Sequence, residues 1–197
     1  MNEIANARAL PRRLDCDGEA VTLRLMEAGD GPAVLAFAGA LPAHDLLFLR
    51  RDISHPKVVE AWIGELGSGL ETLLAWNGDE VVGCATIVRD PLSWSPHAAE
   101  LRIVLSEKLR GRGLGSLLAQ EAFARALAGG AEKLFAQMTV DQKGAIALFE
   151  GLGFSPEAVL RDHVRDRDGR KHDLVVLSHD VERVRARHAA FGLNDAF

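Results

Sequence analysis

The chain has 197 residues, 48% apolar and 26% charged, with a formal net charge of −5. That size allows one domain with a full core and leaves little for a second of comparable size. Because both signs are interspersed and the balance is acidic, no general nucleic-acid or anionic-membrane surface is expected.

Cys16 and Cys84 follow no paired spacing, so neither a disulfide framework nor a metal site is anticipated. The first nineteen residues carry Arg8, Arg12, Arg13, Asp15 and Asp17 but no apolar core like that of a signal peptide. The longest apolar run, 33–41, is too short to span a bilayer. The expectation is a cytoplasmic protein with free thiols and no membrane partner.

In chain order, residues 1–19 read as a polar tail. A first strand over 20–26 places Val21, Leu23 and Leu25 on one face. Asp30 is expected to cap a helix through Leu41, with Pro32 in its first turn. A loop, 42–54, contains His44-Asp45 and Arg50-Arg51-Asp52, and Pro56 opens a second helix that ends near 67–69. Runs over 70–76 and 81–88 flank Asn77-Gly78, the strongest hairpin signal in the chain.

The fourth strand is expected over 98–105, then a glycine-rich loop, a helix over 114–128 and a fifth strand over 133–139. A helix over 142–152 ends at Gly153, and strands near 159–164 and 174–177 pair around a turn at 166–169. The segment 161–172 alternates in charge and reads as a solvated hairpin face. Beyond Asp180, Val181, Val184, His188 and Phe191 form a semi-apolar stripe on a C-terminal helical extension, 181–197. It packs on its own domain or forms a homodimer contact.

The loop is the most informative stretch. Glycines between a strand and a helix let backbone N–H groups gather at a helix N-terminus, a site for phosphate. A P-loop is excluded, since no lysine lies between Lys108 and Lys133. A dinucleotide fingerprint starting at Gly111 or Gly113 would put its third glycine at Ser116 or Leu118, so both registers fail. What fits is Arg/Gln-x-x-Gly-x-Gly/Ala, here Arg110, Gly113 and Gly115.

This pattern resembles the pyrophosphate loop of the GNAT superfamily of N-acetyltransferases. Downstream, Gln142 to Phe154 resembles the family's second motif, Asn-x-x-Ala-x-x-Leu-Tyr-x-x-x-Gly-Phe, with two departures. Gln142 stands where asparagine is usual, and Phe149 where many members carry the tyrosine that protonates the departing thiolate; the chain has no tyrosine. A weaker similarity, to bacterial Pat-type protein lysine acetyltransferases, rests on the Ala99-Glu100 strand start and on 41–51.

The resemblance covers about residues 20–180 and implies an α/β (α+β) GNAT fold. The predicted elements supply seven strands flanked by four helices. It implies transfer of acetyl from acetyl-CoA, without a metal, to a primary amine on a protein lysine or a small molecule. Arg110, Gly111, Arg112, Gly113, Leu114, Gly115 and Ser116 would hold the pyrophosphate. Ile103, Val104 and Leu105 would line the pantetheine, with a backbone N–H near Leu105 polarising the thioester. Gln142 and Phe149 would flank the CoA arm.

Glu100 is the expected general base, at a strand start where many GNAT enzymes carry one. The competing reading is a strand-end carboxylate that is solvated or paired with Arg102. His97 and Asp141 are reserves, the latter also a natural helix cap. The departures at Gln142 and Phe149 keep a second reading open, a non-catalytic acyl-CoA-binding sensor.

Overall fold

A computed structural model describes residues 9–182. In chain order it comprises β1 (Arg12–Cys16), β2 (Glu19–Leu25), α1 (Gly31–Gly39), α2 (Pro56–Gly64), β3 (Leu70–Asn77) and β4 (Glu80–Val88). There follow β5 (Ala98–Leu105), α3 (Leu114–Ala128), β6 (Lys133–Thr139), α4 (Lys143–Gly151), β7 (Ser155–Arg165) and β8 (Lys171–Asp180). The strands form one sheet in the order β1-β2-β3-β4-β5-β6-β8-β7. Every neighbouring pair is antiparallel except β5 and β6.

The sheet therefore has eight strands where seven were expected, because residues 12–16 are a strand and not a tail. Asp17 and Gly18 supply the left-handed turn, with φ of 55° and 82°, that folds β1 back on β2. Cys16 then sits buried in the core. On β2, Val21 and Leu23 are buried as the alternation requires, but Leu25 at the strand end is exposed.

Asp30 does precede α1, yet its side chain caps nothing in that helix. It accepts two hydrogen bonds from Arg24, at 2.7 and 2.6 Å, and one from the Glu27 backbone N–H. In the β3–β4 hairpin Asn77 pairs with Glu80, so Gly78-Asp79 form the loop and only Gly78 takes positive φ. Of the predicted C-terminal helix only Val181, which is buried, and Glu182 fall among the described residues.

Each face of the sheet carries its own core. On one, α3 packs Leu114, Leu118, Ala122 and Ala126 against Leu23, Leu73, Ala85 and Leu101, and Phe149 of α4 joins them. On the other, Val34 and Phe37 of α1 and Val59 and Trp62 of α2 cover Leu74, Cys84, Val104 and Leu174. β4 and β5 feed both cores by alternation, which is why β4 reads as a nearly continuous apolar run. The polar segment 42–54 is pinned to the second core by Leu46, Phe48 and Ile53.

One irregularity positions everything that follows. β5 and β6 pair only at Ala98, Ala99 and Glu100 against Lys133, Leu134 and Phe135. Past those residues β5 stays on β4 as far as Leu105, while β6 stays on β8 as far as Thr139. The two strands part, and among the described residues their facing edges have no strand opposite.

Candidate functional site

The glycine loop stands at the open end of this parting, between β5 and α3. Gly111 and Gly113 adopt φ of 75° and 82°, a conformation that other residues rarely enter. Gly113 is the N-cap of α3, and a Cβ at either glycine would meet nothing within 4 Å. The backbone there faces open space.

Leu117 donates to the Gly113 carbonyl, so the N–H groups of the first turn, Leu114, Gly115 and Ser116, have no intrahelical acceptor. A 15-residue helix adds its dipole at that end. Gly115 serves a separate purpose: a Cβ there would lie 3.0 Å from Leu105 Cδ1, so glycine lets α3 approach the end of β5. These features fit a phosphate group, and the parted edges of β5 and β6 fit an extended chain bearing amides.

The loop arginines are engaged within the chain. Arg110 pairs with Asp45 and also donates to the Leu105 carbonyl at 3.3 Å. Arg112 lies 3.6 Å from Glu19.

On the opposite face, above β4 and β5, lies a cavity of about 190 Å³. Its floor is Cys84, Thr86, Arg102 and Val104, and Arg50 and Trp62 stand over it. Trp62 donates its indole N–H to Thr72 at 3.1 Å, leaving its ring as an apolar wall. Burial pushes the Cys84 thiol up to about 12, so it is no nucleophile at neutral pH.

Glu100 shares a face of β5 with Arg102 and Val104 but does not itself line this cavity, and it is 2% exposed. Its Oε2 accepts from Arg102 at 2.7 Å and lies 3.6 Å from Arg50 Nε. The Arg102-paired alternative is thus present, and burial rules out the solvated one. Glu100 Oε1 and Arg102 Nε are both buried with no hydrogen-bond partner among the described residues. Unpaired buried polar atoms are costly.

A second polar cluster, undetected from sequence, closes the mouth of the parting. The short turn Ala43–Leu46 reaches both arms with consecutive side chains. Asp45 pairs with Arg110 beyond the end of β5. His44 Nε2 lies 3.0 Å from Asp141, just beyond β6, and 3.3 Å from Oγ1 of Thr139, the last residue of β6. The Thr139 hydroxyl, aided by the His44 and His172 charges, holds the Asp141 carboxyl below its usual range. His172 packs edge-on against His44 at 5.2 Å and pairs with Asp166. The signal was there in His44-Asp45, but nothing local says that the two residues reach partners 95 and 65 positions away.

The remaining predicted residues are placed as follows. Ile103 and Leu105 point to the α3 side and Val104 to the α1–α2 side. Gln142 is the N-cap of α4, and its side chain accepts from the Thr139 N–H at 3.1 Å. Phe149 is a core residue, 3% exposed and edge-on to Phe154 at 5.1 Å. His97 is exposed. Asp141 is not the cap of α4; its side chain is turned to Thr139 and His44. In the charged hairpin, Arg167 does more than face solvent: it pairs with Asp52 at 2.9 Å and ties β7–β8 to the 50–54 segment.

Among the described residues no group of three or more His, Cys, Asp or Glu side chains could hold a metal ion, and no helix is long and apolar enough to cross a membrane.

Comparison with known proteins sets this geometry in context. The mycothiol acetyltransferase of Corynebacterium glutamicum (strain R) is 35% identical over 95 residues, 48% of this chain; the match spans about 30% of that longer protein. A GNAT-family acetyltransferase from Streptococcus pneumoniae superposes with a TM-score of 0.70 at 23% identity, over 81% of this chain and 99% of the other. The GNAT domain of S. lividans PAT gives 0.68 at 19% identity, over 86% and 96%. At those identities the structures speak to the fold, and they share it. The Acetyltransferase (GNAT) family profile matches residues 35–154, well over half of the chain, from α1 through the glycine loop to Phe154. The chain therefore belongs to the GNAT acetyltransferase family.

Proposed function

We propose that the protein transfers the acetyl group of acetyl-CoA to a primary amine, on a small molecule or a protein lysine. The observation that carries this reading is the parting of β5 and β6 directly beside an open helix N-terminus. In the proposal the N–H groups of residues 112–116 receive the pyrophosphate. The free edges of β5 and β6 flank the pantetheine arm, with Ile103, Val104 and Gln142 alongside. A backbone N–H near Leu105 polarises the thioester carbonyl.

The acceptor amine enters from the cavity on the α2 face. Glu100 takes a proton from the ammonium, directly or through water, so that the neutral amine can attack the carbonyl carbon. As the new C–N bond forms and the C–S bond breaks, the thiolate leaves and acquires a proton from water. A thiol with an ordinary pKa of ~8.5 is a tolerable leaving group without an acid catalyst. This matters because Phe149 has no proton to give and is buried against Phe154.

The two buried cysteines are free thiols, which suits a reducing cytoplasm. A homodimer contact through 181–197 remains part of the proposal; that segment lies almost wholly outside the described residues.

The double arginine pairing of Glu100 and the phenylalanine at 149 favour one other reading, an acyl-CoA-binding sensor without turnover. Release of CoA thiol, followed over a panel of amines, separates the two. Sustained release with one acceptor class supports the transferase. Tight acetyl-CoA binding with no release above hydrolysis across the panel would replace it with the sensor.

A further inference from the structure

From the charge and size of the α2-face cavity we infer that the acceptor is a small amine that also carries a carboxylate, of the size and kind of an apolar α-amino acid. This rests on the acetyltransferase reading above and narrows its acceptor.

Three arginines and one carboxylate line the cavity: Arg50, Arg51, Arg102 and Glu65. Arg51 is spoken for by Glu65, at 2.8 Å on the rim. Arg102 and Arg50 share the single carboxylate of Glu100 behind them. The cavity and its backing thus hold one positive charge in excess. An anionic group on the ligand balances it, whereas a polyamine meets no unpaired carboxylate on these walls.

The vacant valences point the same way. Arg102 uses Nη2 for Glu100 and has its Nε without a partner, so it can hold Glu100 and a second carboxylate at once. Glu100 keeps Oε1 without a donor. A ligand whose carboxylate pairs with the Arg102 guanidinium in the cavity wall is held against the residue that also holds Glu100, so its carboxylate brings its amine toward the base. The other walls, Leu49, Ile53, Val58 and Trp62, are apolar and suit an aliphatic or aromatic side chain. At about 190 Å³ the cavity is smaller than pockets for drug-sized ligands and suits a small acceptor.

The test needs binding as well as turnover. Leucine, methionine and phenylalanine are titrated by NMR saturation transfer and calorimetry against the full-length protein, beside leucinamide, 3-methylbutylamine and spermidine. At least one amino acid should bind about 10- to 100-fold more tightly than its amide or its decarboxylated amine. Arg102→Gln, or Arg50→Ala where the exposed side chain poses no folding risk, should remove most of that preference. Equal affinity for leucine and 3-methylbutylamine, tighter binding of spermidine, or no binding by any amino acid would each overturn the inference. Acetyl-CoA is titrated into the same samples. If it binds and spermidine is the acetylated amine, the acceptor class is wrong and the transferase stands; if acetyl-CoA fails to bind, the transferase reading is the one that falls.

Discussion

The two faces of this sheet are built by different means. Beneath α3 the features that suit a nucleotide are made of backbone: N–H groups at a helix start, two glycines with positive φ, and strand edges left bare where β5 and β6 part. Beneath α2 the cavity is made of side chains from four distant segments, with Arg50 and Trp62 above Thr86 and Arg102. A backbone site tolerates wide change in side chains so long as the chain can turn. A side-chain site is reset by one substitution.

The largest effect is expected on the side-chain face. Glu100→Gln keeps the size of the group and its bond to Arg102 but cannot take a proton, so kcat should fall by about 10²- to 10⁴-fold with acetyl-CoA affinity unchanged. The deficit should narrow as pH approaches the ordinary ammonium value of ~10.4, where more acceptor arrives deprotonated. A mutant with wild-type kcat across neutral pH would make Glu100 a structural carboxylate and move the base to the His44–Asp141 pair at the mouth.

A smaller effect is expected on stability, on the backbone-built side. His179 is buried against Phe123 and Phe154 and donates from Nδ1 to the Gly153 carbonyl at 3.2 Å. Burial lowers its pKa from 6.5, against the pull of that hydrogen bond and of Asp180. The unfolded chain therefore binds the proton first, and this part of the stability is present above pH 6.5 and lost as pH falls through the depressed value. The urea midpoint should drop between pH 7.5 and pH 5, and His179→Leu should lessen the drop. An equal drop in the mutant would assign the loss to other groups.

Smallest of all is Phe149→Tyr. With Phe149 packed on Phe154, turnover should change by no more than a few-fold, a rise included. A collapse in kcat at normal stability would mean that the ring touches the reacting sulfur.

The contrast between faces also explains what the sequence could tell. Arg110, Gly113 and Gly115 lie within six positions because one turn has to do one local job, and a short motif records it. The hairpin at Gly78 was legible for the same reason. The strand at Arg12–Cys16 was missed because its alternation is mostly charged and its signal is the Asp17-Gly18 turn that follows. Glu100 was found from its strand position, and Arg102 was named only as its candidate partner. Arg50 and Trp62 were not connected to them, since only the folding of 42–64 over the sheet brings these groups together. The bridge made by His44 and Asp45 is of the same kind.

The division of labour between the faces can be tested without knowing the acceptor, by calorimetric titration of acetyl-CoA into the wild type, Gly113→Val and Arg50→Ala. Valine at a φ of 82° is strained and puts a branched side chain where the backbone must meet phosphate, so affinity should fall by about 10-fold or more in a protein that still folds. Arg50→Ala removes a side chain from the cavity on the other face and should leave acetyl-CoA affinity as it was. Unchanged affinity in a folded Gly113→Val protein, or an equal loss in both variants, would contradict the assignment of the glycine loop to the cosubstrate.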